Sequence, residues 1–226
     1  MFGSKLEIRR YEDRIQKYES VPVQEGKILF YGHSFFSRCS WITTFRENPI
    51  LEDCVRMKDG SQAIVNHGFG GSCADDLLYY YHRMVLPWKP RALVLATSSN
   101  DICWGYSAEE IMELAVRLIQ WVQADFPGIP IYCFSDEPSI VHKGKRDRYT
   151  QVRDAYNAYL EEFCAQTENC IYVPVEKQPF WYADPAHIGD YDKVREDIFH
   201  EDKVHLNALG YTLFMDFIRD LLDDLL

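Results

Sequence analysis

Residues 27–37 read Lys-Ile-Leu-Phe-Tyr-Gly-His-Ser-Phe-Phe-Ser, an apolar run that stops at a glycine and continues into a histidine and a serine. A short run of this kind is typical of a strand that is buried on both faces of a sheet. Later runs have the same character. Together with the first they predict five strands: 27–31, 63–66, 92–96, 129–134 and 170–173.

Residues with helical spacing separate these runs. Ser107 to Glu110 form the pattern of a capping box, in which a serine hydroxyl and a glutamate carboxylate satisfy the first N–H groups of a helix. Apolar residues then recur at helical spacing after this box, between residues 148 and 166, and from residue 213 onward. Strands that alternate with helices favour a parallel sheet covered on both faces. The sequence therefore predicts an α/β fold, a three-layer α/β/α sandwich with a central parallel sheet of about five strands.

The expected domain organisation is simple. The chain has 226 residues, of which 47% are hydrophobic, which is enough to bury a sheet in one core. We expect residues 1–226 to form one domain, with residues 1–22 as an N-terminal helical extension lying on its surface. Residues 174–203 lack helical spacing and contain prolines, so they are predicted to form loops and short turns.

Composition excludes several classes of partner. The formal net charge is −11, from 35 acidic and 24 basic residues, which opposes binding to nucleic acid or anionic lipid. No segment approaches the roughly 20 apolar residues that cross a bilayer, and the charged N-terminus lacks the core of a signal peptide. We therefore expect no membrane span and a cytoplasmic location. The sequence carries no signal for an oligomeric state.

The chain contains 7 cysteines, an odd number with no C-x-x-C pair. This pattern argues against a disulfide framework and against a zinc knuckle, so free thiols are expected. The histidines show no spacing typical of metal ligands. We therefore expect neither a metal nor another cofactor.

Two polar segments follow predicted strands, where parallel sheets hold their ligands. Ser34 follows the first strand, and by itself it is equally well explained as a nucleophile or as the cap of a helix. A glycine-rich loop, 66–73, follows the second strand. It is compatible with a plain tight turn or with a phosphate cradle, although it lacks the lysine of a P-loop.

Two further segments complete the set. Asn100 and Asp101 follow the third strand, where the asparagine amide can donate a hydrogen bond into the cleft, although such a pair is more often a turn or a cap. Asp202 and His205 lie three residues apart before the last predicted helix. A carboxylate at this spacing can hold one imidazole nitrogen and leave the other free to accept a proton.

In order and spacing, the four segments resemble the motif blocks of the SGNH (GDSL-type) hydrolase superfamily: 32–34, 66–71, 98–101 and 202–205. The resemblance runs from residue 27 to the C-terminus. It implies a flavodoxin-like fold with Ser34 as the nucleophile, His205 as the base and Asp202 as the residue that orients it. It also implies that the backbone N–H groups of Ser34 and Gly71 and the side-chain amide of Asn100 form the oxyanion hole.

The sequence departs from the family pattern at two positions. His33 stands where the family has an acidic residue, and it could alter the hydrogen bonds or the charge around the nucleophile. Ser98 stands where the family has a glycine, and its side chain could narrow the cleft. The aromatic residues Phe35, Trp104 and Tyr106 follow motif residues, so we expect them to line an acyl or sugar pocket, with core packing as the alternative.

The resemblance implies a serine esterase or acylhydrolase that cleaves short-chain carboxylic esters through an acyl-enzyme on Ser34. The expected substrate is a small-molecule ester, an acylated carbohydrate or lipid. One alternative is a thioesterase or a longer-chain lipase with the same triad. Another is a non-catalytic, flavodoxin-like module that binds phosphate at the glycine-rich loop, but this gives Asp202 and His205 no role.

Overall fold

Residues 9–42, 45 and 47–226 are described in the computed structural model of the protein. Five strands form one sheet in which every pair of neighbours is parallel, in the order β2-β1-β3-β4-β5. The strands are β1 Ile28–Gly32, β2 Ile64–Gly68, β3 Ala92–Ala96, β4 Ile131–Phe134 and β5 Cys170–Val173. The predicted fold class and the number of strands are confirmed.

The strand boundaries follow from burial and from proline. All residues of β1 to β4 are buried, as expected for strands with helices on both faces, whereas β5 lies at the edge and exposes Ile171. The second strand extends to Gly68, beyond its predicted end. The fourth begins at Ile131 rather than Ile129, because Pro130 has no N–H to donate to a neighbouring strand.

The helices cover both faces of the sheet. They are α1 Glu12–Glu19, α2 Ser34–Ser37, α3 Leu51–Cys54, α4 Ala74–Met84, α5 Ser99–Cys103, α6 Ala108–Asp125, α7 Arg148–Gln166 and α8 Ala208–Leu221. The predicted capping box begins α6: the Ser107 hydroxyl accepts from the Glu110 N–H at 3.2 Å, and the Glu110 carboxylate accepts from the Ser107 N–H at 2.8 Å.

Short 3₁₀ turns complete the described structure. The segment 174–203 contains four of them, as predicted for a region of loops and turns: Val175–Lys177, Pro179–Trp181, Pro185–His187 and Tyr191–Lys193. Among the described residues, no helix combines the length and the apolar character needed to cross a membrane.

Two hydrophobic clusters lie on opposite faces of the sheet. Alternate residues of β1 contribute to each, with Leu29 in one and Phe30 in the other. Helices α1, α4, α6 and α7 pack on the first cluster, and α8 covers the second together with α2 and α3.

Helix α1 is the part of the predicted N-terminal extension that the structure describes. Ile15 and Tyr18 on this helix are buried. Arg83 on α4 forms ion pairs with Glu12 at 2.8 Å and with Glu19 at 2.7 Å, one at each end of α1. Residues 1–8 of the predicted extension lie outside the described residues.

Glycines at the ends of two strands allow close packing at the carboxyl edge of the sheet. A Cβ at Gly68 would lie 2.5 Å from the Cβ of Phe36 and 2.6 Å from the backbone nitrogen of Ser37. A Cβ at Gly32 would lie 2.6 Å from the carbonyl oxygen of Ala96. Because these glycines have no side chain, the turn after β1 and helix α2 pack directly against β2 and β3.

Candidate active site

Ser34 is the first residue of α2, directly after β1, and the fold brings a histidine from 171 positions away to its side chain. His205 Nε2 lies 2.8 Å from Ser34 Oγ. The other ring nitrogen of His205, Nδ1, lies 2.8 Å from Asp202 Oδ2. This order of hydroxyl, imidazole and carboxylate lets the imidazole accept a proton from the hydroxyl while the carboxylate fixes the orientation of the ring.

Asp202 is held by several donors. Its Oδ1 accepts hydrogen bonds from the backbone N–H groups of His205 at 2.9 Å and of Val204 at 3.0 Å. Its Oδ2 also lies 3.0 Å from Nη2 of Arg38. Burial opposes ionisation of this carboxyl, but its hydrogen bonds to the backbone and to His205 outweigh burial and hold its pKa well below the usual range. Asp202 is therefore a carboxylate at any working pH.

The pKa of His205 is shifted downward. Burial is the main cause, and the positive charge of Arg38 acts in the same direction, while Asp202 opposes both. A lowered pKa keeps the imidazole neutral near neutral pH, which is the form that can accept the proton of Ser34.

The predicted oxyanion donors surround the same space. Ser34, Gly71 and Asn100 all line one cavity. The Asn100 amide donates one hydrogen bond to the carbonyl oxygen of Ser72 at 3.0 Å, which orients the side chain and leaves its second amide hydrogen available. Within the part of the chain that the structure describes, the N–H groups of Ser34, Gly70 and Gly71 donate to no protein acceptor.

Side chains of α1 and of Tyr11, which caps it, hold the glycine-rich loop by donating hydrogen bonds to the carbonyl oxygens of the loop. The phenol of Tyr18 donates to the carbonyl of Gly68, the guanidinium of Arg14 to that of Gly70, and the phenol of Tyr11 to that of Gly71. In a trans peptide the C=O and the following N–H point in opposite directions. Because Arg14 draws the carbonyl of Gly70 towards α1, the N–H of Gly71 points away from this helix. No local pattern in the sequence predicts these contacts, which join residues 50 to 60 positions apart.

His33 acts as the cap of α2. It is buried, and its Nδ1 accepts a hydrogen bond from the Phe35 N–H at 3.4 Å. Its Nε2 lies 3.5 Å from the hydroxyl of Ser99 and 3.7 Å from the carboxyl of Glu137. Burial lowers the pKa of His33 to about 4. The ring is therefore neutral near neutral pH, and it caps α2 with an uncharged group where the family pattern has an acidic side chain.

The prediction that Ser98 narrows the cleft is wrong. Ser98 is fully buried, and its hydroxyl donates to Asp136 Oδ1 at 2.7 Å, away from the cavity wall. Its φ is +101°, a region that only glycine adopts without strain. The glycine of the family pattern suits this backbone, whereas Ser98 adopts it while hydrogen bonded to a buried carboxyl group.

The cavity above Ser34 has a volume of about 570 Å³. Besides the motif residues, its wall is formed by three segments that motif analysis did not identify: α1, the loop that contains Ile42 and Phe45, and the stretch from Glu137 to Tyr149. None of these segments carries a family motif. Only the three-dimensional arrangement identifies them as part of the site.

The predicted pocket residues Phe35, Trp104 and Tyr106 are not on this wall. Phe35 is 3% exposed and packs edge to face on Phe214 of α8, because it lies about 100° around α2 from Ser34. Tyr106 is buried and donates to Asp75, and Trp104 is 58% exposed at the surface. The pocket prediction is therefore wrong, and core packing explains Phe35 and Tyr106.

One cluster within the described residues has the composition of a metal site. The possible ligand atoms of Cys73, Asp75 and Asp76 lie within 4.8 Å of one another. However, Asp76 forms an ion pair with Arg10, and Asp75 accepts from the phenol of Tyr106. A guanidinium already occupies the place of a cation there, so the donor set does not suit a metal ion.

A serine hydroxyl, an imidazole and a carboxylate in contact at the carboxyl edge of a parallel sheet, with a glycine-rich loop and an asparagine beside them, are typical of serine-dependent ester hydrolases. The chain belongs to the GDSL-like lipase/acylhydrolase family, whose sequence model matches residues 30–213. It is a hydrolase that acts on esters, and the predicted family is confirmed.

Solved structures agree on the fold. A GDSL-like lipase from Bacteroides thetaiotaomicron superposes with a TM-score of 0.69 at 14% identity, covering 97% of this chain and 100% of that one. An acetyl-xylooligosaccharide esterase from Geobacillus stearothermophilus, solved as a mutant, gives 0.64 at 18% identity, with 90% and 95% covered. A Streptococcus pneumonia protein provisionally described as a platelet activating factor gives 0.71 at 21% identity, with 95% and 94% covered. No functionally curated protein matches the sequence significantly.

Proposed function

We propose that this protein is a serine esterase that cleaves short-chain carboxylic esters through an acyl-enzyme on Ser34. The observation that carries the proposal is the 2.8 Å contact between Ser34 Oγ and His205 Nε2 at the wall of the cavity, with Asp202 on the far nitrogen of the imidazole. A serine hydroxyl becomes nucleophilic when a neutral imidazole is positioned to accept its proton.

The reaction proceeds in two steps. In the first, His205 removes the proton of Ser34 as Oγ attacks the ester carbonyl, and the protonated imidazole then donates to the leaving alcohol. The oxyanion accepts hydrogen bonds from the N–H groups of Ser34 and Gly71 and from the amide of Asn100. In the second step His205 activates a water molecule, which releases the acid. Asp202 stabilises the imidazolium in both steps.

The wall of the cavity has a mixed composition. Glycines and small polar residues, among them Ser37, Gly70, Ser99 and Asn100, lie together with apolar side chains such as Ile42, Phe69, Val141 and Val204. The polar groups can bind the hydroxyl groups of a carbohydrate, and the apolar side chains can contact an acyl group. By analogy with the acetyl-xylooligosaccharide esterase that shares the fold, an acylated carbohydrate is our preferred substrate, and an acylated lipid is the second candidate.

A fluorophosphonate probe tests the nucleophile. We expect the folded protein to be labelled and Ser34→Ala to remain unlabelled, with circular dichroism as the control for folding. Absence of label on the folded wild-type protein refutes the proposal, and labelling that persists in Ser34→Ala places the nucleophile elsewhere. His205→Ala should reduce kcat for an acetyl ester by several orders of magnitude.

The length of the acyl group and the nature of the leaving group distinguish an esterase from a lipase and from a thioesterase. Hydrolysis of 4-nitrophenyl esters from acetate to laurate should be fastest for the shortest acyl groups, whereas a lipase prefers the longest. A matched pair of an acetyl ester and an acetyl thioester distinguishes an esterase from a thioesterase. A non-catalytic binding module turns over none of these compounds.

A further inference from the structure

Helix α1 lies outside residues 30–213, which match the family, but it forms one wall of the cavity. Arg14 and Lys17, one turn apart on this helix, both line the cavity. The whole chain has a formal net charge of −11, so two cations on one wall reverse the local sign of the charge. A concave site lined by one sign of charge concentrates ligands of the opposite sign.

Within the part of the chain that the structure describes, no carboxylate neutralises these two cations. Among residues 9–42, 45 and 47–226, no carboxylate lies within ion-pair distance of Arg14 or Lys17, whereas Arg83 on the neighbouring helix pairs with Glu12 and Glu19. Arg14 uses Nη1 to hold the carbonyl of Gly70, and its Nε and Nη2 groups donate to no described residue. Donors of a guanidinium therefore remain available beside the cavity.

Gly70 leaves open the space between Arg14 and the nucleophile. A Cβ at this position would lie 3.5 Å from the Cβ of Ser34 and 3.6 Å from Nη1 of Arg14. The backbone of Gly70 does not have a positive φ, so its conformation does not require glycine. The absence of a side chain instead leaves a gap that is bordered by the nucleophile on one side and by the guanidinium on the other.

The acidic group on the described wall of the cavity lies on a different segment. Glu137 follows β4, and burial raises its pKa to about 7, so a large fraction is uncharged near neutral pH. It therefore offsets the field of the two cations only in part. The wall formed by α1 carries positive charge, and the open space at Gly70 lies between this wall and Ser34.

We propose that α1 forms an anion subsite beside the nucleophile, and that the preferred substrate is an ester with a carboxylate, phosphate or sulfate group close to its scissile bond. This inference rests on the proposed ester hydrolysis at Ser34. Arg14 contacts the anion through the N–H groups that donate to no described residue, and Lys17 strengthens the binding by its charge. A charge-assisted hydrogen bond of this kind changes an affinity by about 10- to 100-fold.

Matched pairs of esters test the subsite. For the acyl side, the pair is mono-4-nitrophenyl glutarate, which carries a carboxylate, and 4-nitrophenyl valerate, which has the same chain length without charge. For the alcohol side, the pair is 3-carboxyphenyl acetate and phenyl acetate. The measured quantity is the ratio of kcat/KM between the charged and the neutral member of each pair.

The variants distinguish the effect of the charge of Arg14 from the effect of its hydrogen bond to the glycine-rich loop. Arg14→Gln keeps an amide that can reach the carbonyl of Gly70 but removes the charge, Arg14→Lys keeps the charge, and Lys17→Gln changes charge alone. Arg117→Gln, on the exposed face of α6, is the control for a general loss of positive charge.

We expect the wild-type protein to prefer the charged member of at least one pair, and added NaCl to weaken this preference. Arg14→Gln should lower the ratio about 10- to 100-fold, Lys17→Gln should lower it less, and Arg14→Lys and Arg117→Gln should largely retain it. The inference is overturned if the wild type shows no preference in either pair, or if the preference survives in the double variant Arg14→Gln/Lys17→Gln.

A binding measurement distinguishes failure of the subsite from failure of the proposed reaction. If no ester in either pair is hydrolysed in a Ser34-dependent manner, the proposed function fails. The subsite is still tested by calorimetric titration of Ser34→Ala with mono-4-nitrophenyl glutarate. Binding that is lost in Ser34→Ala/Arg14→Gln supports the subsite, and equal binding to both variants excludes it.

Discussion

Replacing Tyr18 by phenylalanine tests whether α1 supports the oxyanion hole. Tyr18 is 4% exposed, and its hydroxyl donates to the carbonyl of Gly68 at the start of the glycine-rich loop. The substitution removes this hydroxyl and keeps the ring. A buried carbonyl that loses its donor costs about 1 to 3 kcal/mol, so the free energy of unfolding should fall by about that amount.

We expect the effect on catalysis to be smaller than the loss of an oxyanion donor, because the Tyr18 hydroxyl is bonded to the loop that carries such a donor and not to the donor itself. Removing one donor typically costs about 3 to 4 kcal/mol of transition-state stabilisation. A misplaced loop should cost part of this, about 1 to 2 kcal/mol, which corresponds to a decrease in kcat of roughly 5- to 30-fold. Because the oxyanion exists only in the transition state, kcat and kcat/KM should fall together.

Tyr31→Phe is the matched control. Tyr31 is fully buried on β1, and its hydroxyl donates to a backbone carbonyl, that of Leu77 on α4, at 2.7 Å. Both variants should lose similar stability in urea unfolding, but only Tyr18→Phe should lose kcat on an acetyl ester. The reasoning is refuted if Tyr18→Phe retains wild-type kcat while losing stability, or if both variants lose kcat equally.

The remaining predictions concern charge and backbone strain. Arg38→Gln removes a cation that lowers the pKa of His205, so the acidic limb of the profile of kcat/KM against pH should move to higher pH; a limb that stays in place contradicts this. Ser98→Gly should be about 1 to 2 kcal/mol more stable than Ser98→Ala in urea unfolding, since both lose the bond to Asp136 but only alanine keeps the strained φ of +101°. Equal stability of these two variants means that the backbone is not strained. Burial raises the pKa of Glu137 from 4.5 to about 7, so the folded protein binds the proton more tightly than the unfolded chain. The free energy of unfolding should therefore fall as pH rises from about 4.5 to about 7, and Glu137→Gln should reduce this fall by up to about 3 kcal/mol; an unchanged pH dependence excludes Glu137 as a cause.

The parts of the fold that depend on local patterns could be predicted from the sequence. A strand buried on both faces is a continuous apolar run, as in β1 and β3, and an amphipathic helix has a period that a short window shows. The capping box that begins α6 could also be predicted, because its two side chains, those of Ser107 and Glu110, are three residues apart. Two predicted strand ends were wrong. Strand β4 begins after Pro130, which has no N–H for pairing, and β2 extends to Gly68, where the chain packs closely against α2.

The site likewise has residues that the sequence predicts and residues that it does not. The spacing of four motifs predicted that Ser34, His205, Asp202 and the glycine-rich loop belong together, and the structure places the first three in one chain of hydrogen bonds. The pocket residues were predicted by proximity in sequence to motif residues. This reasoning failed because Phe35 lies about 100° around α2 from its neighbour Ser34 and packs into the core.

The sequence by itself determined the α/β architecture, the family and the order of the motif blocks, because hydrophobic period and motif spacing are properties of neighbouring residues. Only the tertiary structure decided what α1 does. Its charged sequence indicates a surface helix, but its contacts with Gly68, Gly70 and Gly71 join residues that are 50 to 60 positions apart. Such pairings depend on how a helix packs against the sheet edge, which no local pattern specifies. For the same reason, the basic wall beside Ser34 is visible in the folded chain and not in its net charge of −11.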